Sequence, residues 1–152
     1  MTFTCSIQEE TPQLSLVVRV RTSVQDLPRM FGECFGRVAG YMASLGEAPA
    51  GPPYAAYHNA DMQNLDVEIG FPVSKPLTGV EGIEASRIPG GRMASCMYTG
   101  PYSGVGKAYG EMHAWMEKQG HQAQGPSYEI YLNDPATTPP EALQTLILMP
   151  LK

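Results

Sequence analysis

The chain is 152 residues long, about one domain, and its ten basic against fifteen acidic residues leave a net charge of -5. That sign argues against nucleic acid, whose binding is driven by clustered Lys and Arg neutralising phosphates, so no direct nucleic-acid binding is expected. No apolar run reaches the roughly 18 to 20 residues that span a bilayer, and the N-terminus lacks a signal-peptide pattern, so a cytoplasmic protein without a membrane segment is expected.

After a polar leader, Leu14 to Arg21 has the length and β-branched content of a strand. Asp26 or Ser23 can cap a helix carrying Leu27, Met30, Phe31, Cys34, Phe35, Val38, Tyr41, Met42 and Leu45 at helical spacing, with Gly46 as its stop. Beyond the Pro- and Gly-rich loop 48–53, Tyr54 to His58 reads as a second strand closed by the turn Asn59-Ala60-Asp61. Leu65 to Val73 alternates polar and apolar as a third, stopped by Pro72. A turn-rich connector over 75–82 follows, and then the pattern returns. Glu84 to Ile88 is extended, Pro89-Gly90-Gly91 makes a turn or bulge, and Arg92 to Tyr98 is a strand ending at Gly100-Pro101. From about Ser103 a helix carries Val105, Ala108, Tyr109, Met112, Trp115 and Met116, and Gly120 ends it. The stretch Gly125-Pro126-Ser127-Tyr128-Glu129-Ile130-Tyr131-Leu132-Asn133-Asp134-Pro135 is a strand between two turns, and Leu143 to Leu151 closes the chain as another.

Gly51-Pro52-Pro53-Tyr54-Ala55-Ala56-Tyr57-His58-Asn59 matches Gly125 to Asn133 at five positions in nine, with an offset of 74. Both copies fall at the same place in the element order. The fold class read from this is α+β, a tandem pseudo-twofold repeat of two β-α-β-β units over about 12–74 and 84–151, in a single domain spanning 1–152. A ligand cleft is expected where the units meet.

Several segments, taken in this order, resemble a known family. They are Asp66 to Val73, Ile88-Pro89-Gly90-Gly91-Arg92-Met93-Ala94, Tyr98-Thr99-Gly100-Pro101-Tyr102, Trp115-Met116 before Gly120, Tyr128 to Pro135, and Met149-Pro150-Leu151. Together they are similar to the GyrI-like small-molecule-binding domain, also the effector-binding module of several bacterial transcription activators. The resemblance implies an aromatic-lined cleft with a central glutamate, used for hydrophobic, often cationic, compounds. It also implies that some stand-alone members hydrolyse cyclopropane-containing DNA alkylators and that others affect gyrase. The family's glutamate falls on Glu129. The chain shows no helix-turn-helix segment, so reading an operator is not an expected role.

Alternation along a strand puts Glu129, Tyr131 and Asn133 on one face and Tyr128, Ile130 and Leu132 on the other. A carboxylate removed from water needs a countercharge or hydrogen bonds, so Glu129 in an aromatic cleft can select a cation or carry a raised pKa suited to proton transfer. On an open face it is an ordinary solvated residue. Tyr131 can donate to Glu129 or to a ligand, and Tyr128 reads as core. Trp115 can stack on a flat ligand or a cation, or simply pack. Tyr54 and Tyr57 hold the repeat positions of Tyr128 and Tyr131, so Tyr57 is expected to face the cleft. Ala55 stands where Glu129 would fall, which leaves room and makes the pocket asymmetric. Glu68 is a second candidate acid, or one of a solvent-facing row with Asp66 and Gly70. Tyr98 and Tyr102 can shape a rim or pack the turn between them. The nine methionines suit a deformable wall, or a core.

Other chemistries are not indicated. His58, His113 and His121 are dispersed, so no metal is expected; no nucleotide fingerprint is present, so no cofactor is either; and Ser103 lacks a G-x-S-x-G elbow, so serine hydrolase chemistry is not indicated. Cys5, Cys34 and Cys96 are odd in number and lack a C-x-x-C, which points to a reducing compartment with neither a disulfide framework nor a zinc site. The leading expectation is a binder of lipophilic or cationic aromatic molecules, through Glu129 with Tyr57, Trp115 and Tyr131. The alternatives are a hydrolase in which Glu129 activates water while Tyr131 assists, and an inhibitory partner of gyrase or another protein.

Overall fold

In the computed structural model, which describes residues 2–152, the supposed leader is a nine-residue strand, β1 (Thr2–Glu10). Its alternation of Phe3, Cys5 and Ile7 is the signal that composition hides; these three pack against the second of three apolar clusters. There follow β2 (Gln13–Thr22), α1 (Leu27–Ser44), β3 (Tyr54–Tyr57), β4 (Leu65–Pro72), β5 (Glu84–Ile88), β6 (Gly91–Thr99), α2 (Val105–Lys118), β7 (Ser127–Tyr131) and β8 (Gln144–Pro150). Asp26 precedes α1 without a side-chain cap bond, and Pro28 supplies the preset dihedral of the first turn. Gly46 at φ 72° and Gly120 at φ 78° take up the left-handed turns just past the two helices. None of the described helices is long and apolar enough to cross a membrane.

All eight strands join one antiparallel sheet in the order β1-β6-β8-β7-β3-β4-β2-β5. Two links of two residues each decide its shape. Thr11-Pro12 connects β1 to β2, and Pro89-Gly90 connects β5 to β6, although each pair stands six places apart in the sheet. Laid flat, six spacings amount to about 29 Å, whereas such a link reaches only about 11 Å. The sheet therefore curls until its ends meet. The links touch there: a Cβ on Gly90 would lie 2.6 Å from Pro12 Cδ and 2.9 Å from the Glu10 carbonyl oxygen.

Curling separates three cores. On the helix-covered face, α1 seals Leu16, Val18, Ala55, Val67 and Ile69, while α2 seals Ala94, Cys96, Tyr98, Ile147 and Met149. On the face without helices, Val17, Tyr54, Ala56, Met93, Tyr128 and Leu148 pack together inside the curl. Gly70 permits the tight approach of β4 to β2, because a Cβ there would lie 1.9 Å from the Leu16 carbonyl oxygen and 2.8 Å from Val17 Cα. Backbone cannot yield as a side-chain tip does. Gly70→Ala is thus expected to cost at least about 1 to 3 kcal/mol, read as a lower urea midpoint.

The cysteine expectation is overturned. Cys5 and Cys96 stand directly opposite on β1 and β6, with Cα atoms 4.1 Å apart, and form a disulfide; Cys34 is free and buried. Spacing could not show this, because the partners are 91 residues apart and meet only through the register of a strand that was itself missed.

Candidate functional site

The two central strands, β3 and β7, pair antiparallel with Ala55 opposite Glu129 and Tyr57 opposite Ser127. Alternation turns Glu129 and Tyr131 to the helix-covered face. There Glu129 is only 8 % exposed. Tyr109, from α2, donates to its Oε2 at 2.7 Å, and Tyr131 donates to its Oε1 at 2.9 Å. Since the one Tyr131 proton is used on Glu129, the 3.3 Å contact between the Tyr57 and Tyr131 hydroxyls has Tyr57 as donor. Ser127 Oγ lies 3.3 Å from the Tyr109 hydroxyl.

Aromatic rings cover this network. Phe31 of α1 lies 5.6 Å from the Tyr131 ring in a tilted contact, and Tyr102 meets Tyr131 edge-on at 5.8 Å. Phe35 continues the row behind Phe31 at 5.5 Å. Among the described residues no basic side chain pairs with Glu129. Burial pushes its carboxyl above the usual carboxylate range, and the Tyr109 and Tyr131 hydrogen bonds pull it partly back. Burial beside that carboxyl also drives the phenols of Tyr57, Tyr109 and Tyr131 well above their ordinary range, so all three are neutral donors at physiological pH. What the protein has built is a buried acid that, among the described residues, two phenols hydrogen-bond and no basic side chain meets. A concavity of about 270 Å³ adjoins it on the α2 side, bounded by Tyr57, Tyr109, His113 and Ser127. A larger one of about 500 Å³ lies at the far end of α2, around His113, Glu117 and His121, and does not include the Glu129 shell.

The model of the GyrI-like small-molecule-binding domain matches residues 3–152. The chain belongs to that family. No curated protein sequence matches it. Among solved structures, it is similar to the EcmrR C-terminal domain, at 17 % identity and a TM-score of 0.83, with 100 % of this chain and 99 % of that one covered. In the EcmrR–DNA complex the identity is 16 % and the TM-score 0.81; 99 % of this chain is covered, but it spans only 57 % of that chain's length. SAV2435, solved with tetraphenylphosphonium bound, matches at 14 % identity and a TM-score of 0.70, covering 100 % of this chain and 94 % of that one. A structure described as a hydrolase from Listeria innocua matches at 17 % identity and 0.66, covering 98 % and 92 %. At such identities these likenesses establish a shared fold.

Within this GyrI-like domain, the sequence candidates divide by face. Glu129, Tyr131 and Tyr57 come together, and Tyr102, 39 % exposed, meets the Tyr131 ring edge-on. Tyr54 points the opposite way, into the curl, with its hydroxyl 2.7 Å from Ser15 Oγ. Glu68 is on that face too, where Ser86 donates to its Oε1 at 2.6 Å and His58 Nε2 bonds its Oε2. Tyr98 is fully buried and donates to the Pro101 carbonyl at 2.6 Å, so it braces the turn from inside. Trp115 packs half-buried against the α2 cluster. The residues that sequence reading left out of the site are Tyr109 and Phe31. A signal for Tyr109 existed: the offset of 74 that relates Tyr57 to Tyr131 also relates Phe35 to Tyr109.

Tyr109→Phe removes one of the two donors that lower the Glu129 pKa. The carboxyl is expected to titrate at a higher pH in that variant than in wild type, read by its side-chain carbonyl shift in NMR.

Proposed function

We propose that this domain binds lipophilic aromatic cations in a groove between α1 and α2, with Glu129 supplying the charge. In this reading the runs β2-α1-β3-β4 and β6-α2-β7-β8 are two β-α-β-β units related by a pseudo-twofold, and the groove at their junction is the ligand cleft. The observation that carries it is a carboxylate at 8 % exposure with two phenol donors and no basic partner among the described residues. Ionising such a group is costly until a cation arrives, so the site rewards a positive ligand that sheds its own water easily. Tyr131, Tyr57, Tyr109, Phe31 and Tyr102 supply the ring faces and edges that such a ligand packs on. Tetraphenylphosphonium in SAV2435 is a ligand of this class on the same fold.

The test is calorimetric titration with tetraphenylphosphonium and with neutral triphenylphosphine oxide across pH. Cation binding requires ionised Glu129, whose pKa in the free domain is raised. Affinity for the cation is therefore lowest at pH below the ordinary carboxylate value and climbs as pH rises through the raised one, while that for the neutral probe stays flat. The stability linkage runs the other way. Glu129 favours the free fold fully below its unfolded pKa, and that contribution is lost as pH rises through the folded one. The melting shift produced by the cation should thus grow with pH. Equal affinities for both probes at every pH would sink the reading.

A hydrolytic reading rests on the same raised carboxyl, which suits a general base for water attack on a strained ring. Turnover of excess cyclopropane-containing substrate supports it; a stop at one equivalent supports binding alone.

A further inference from the structure

The space beside Glu129 is distributed unequally. On the α1 flank the rings of Phe31 and Tyr102 pack on Tyr131 at 5.6 and 5.8 Å. On the α2 flank lies the concavity of about 270 Å³, and three of its walls belong to the Glu129 network. Tyr109 donates to Glu129 Oε2, Ser127 lies 3.3 Å from the Tyr109 hydroxyl, and Tyr57 bonds Tyr131. Of these three walls, Tyr109 is the one whose hydroxyl bonds the carboxylate directly. His113, one turn farther along α2 and exposed, forms the outer wall, with Ala60 of the β3–β4 loop across from it.

Pockets that take a whole drug-sized ligand measure about 300 to 1,000 Å³, so this concavity suits part of one. Two phenols, an imidazole and the Met149 thioether make a polarizable wall fitted to a flat π-system. Resting on the cation-binding reading above, we infer that this concavity is the subsite for a one- or two-ring aryl arm of the ligand, whose cationic centre then sits toward Glu129. An arm in this position presses on Tyr109. Rotation of that phenol frees Oε2 to face the positive centre, while Tyr131 continues to hold Oε1. His113 and Ala60 then set which arms are admitted.

The experiment compares tetramethylammonium, benzyltrimethylammonium and tetraphenylphosphonium by calorimetry in wild type, Ala60→Trp and His113→Lys. Both substitutions replace exposed residues, and melting curves check the fold. In wild type the benzyl arm is expected to strengthen binding about tenfold over tetramethylammonium. Ala60→Trp fills the mouth and removes that gain, and His113→Lys, which both removes a wall and adds a positive charge, weakens benzyltrimethylammonium several-fold more than it weakens neutral benzyl alcohol. Independently of any variant, NOEs from the benzyl protons should reach the Ala60 methyl and the His113 ring. An undiminished gain in both variants, or NOEs to Phe31 and Tyr102 instead, overturns the subsite. Wild type that binds tetraphenylphosphonium but gains nothing from the benzyl arm overturns the subsite alone; failure of all three cations overturns the cation reading with it.

Discussion

Glu129→Gln is expected to weaken tetraphenylphosphonium binding by about a hundredfold and to leave triphenylphosphine oxide within a few-fold. The substitution keeps the shape of the side chain and removes its charge, turning one of the two accepting oxygens into an amide donor that the phenol beside it must then accept from. Truncating one partner of a desolvated charge pair costs about 2 to 5 kcal/mol, and a hundredfold loss is near the low end of that range. The effect on the free domain has the opposite sign. Wild-type Glu129 carries a burial penalty when ionised, with no basic partner among the described residues. The glutamine variant escapes that penalty, so at neutral pH its melting temperature should equal or exceed that of wild type. Calorimetry and thermal melting on one preparation check both halves. A comparable loss of affinity for the neutral probe would show that shape, and not charge, is what the glutamate provides.

Reduction of Cys5–Cys96 is expected to lower stability by about 4 to 5 kcal/mol, the chain-entropy figure for a cross-link across close to 100 residues; the separation here is 91. Urea unfolding with and without a dithiol reductant measures it. The double variant Cys5→Ala, Cys96→Ala should unfold where the reduced protein does. The consequence reaches the site. The bridge lies in the cluster on which α2 rests, and α2 carries Tyr109. Loss of the bridge should therefore also lower cation affinity under conditions in which the protein is still folded. An unchanged urea midpoint on reduction would mean that the β1–β6 ladder holds without its cross-link.

The parts of this fold that depend on neighbours in sequence were legible. Alternation alone placed Glu129 and Tyr131 on one face and Tyr128 on the other, and the cores agree. The same rule, applied strictly, assigns Tyr54 to the face of Ala56 and Tyr57 to that of Ala55, so the repeat that paired Tyr54 with Tyr128 already put both inside the curl. Helix geometry separates Trp115 from the site in a similar way. Six residues at about 100° each carry it about 120° round α2 from Tyr109; both side chains pack on the cluster containing Cys96 and Met149, but only Tyr109 reaches Glu129. Distance in the chain hid the rest. Tyr109 reaches Glu129 from 20 residues away, and β1 finds its partner only when the curled sheet brings β6 to it.

The pairing of β1 with β6 has a consequence for synthesis. Thr2 pairs with Thr99, and Glu10 pairs with Gly91. Until the ribosome has made residue 99 and released it from the exit tunnel, the first strand emerges with its ladder groups unpaired and the Cys5 thiol unbonded. Long-range strand pairing of this kind is slow and leaves the nascent chain open to wrong partners. The first nine residues of the sheet thus wait for a partner until β2, β3, β4 and β5 have all been made. A chain stalled within α1 should expose Cys5 to a thiol-alkylating reagent, and the finished domain should protect it.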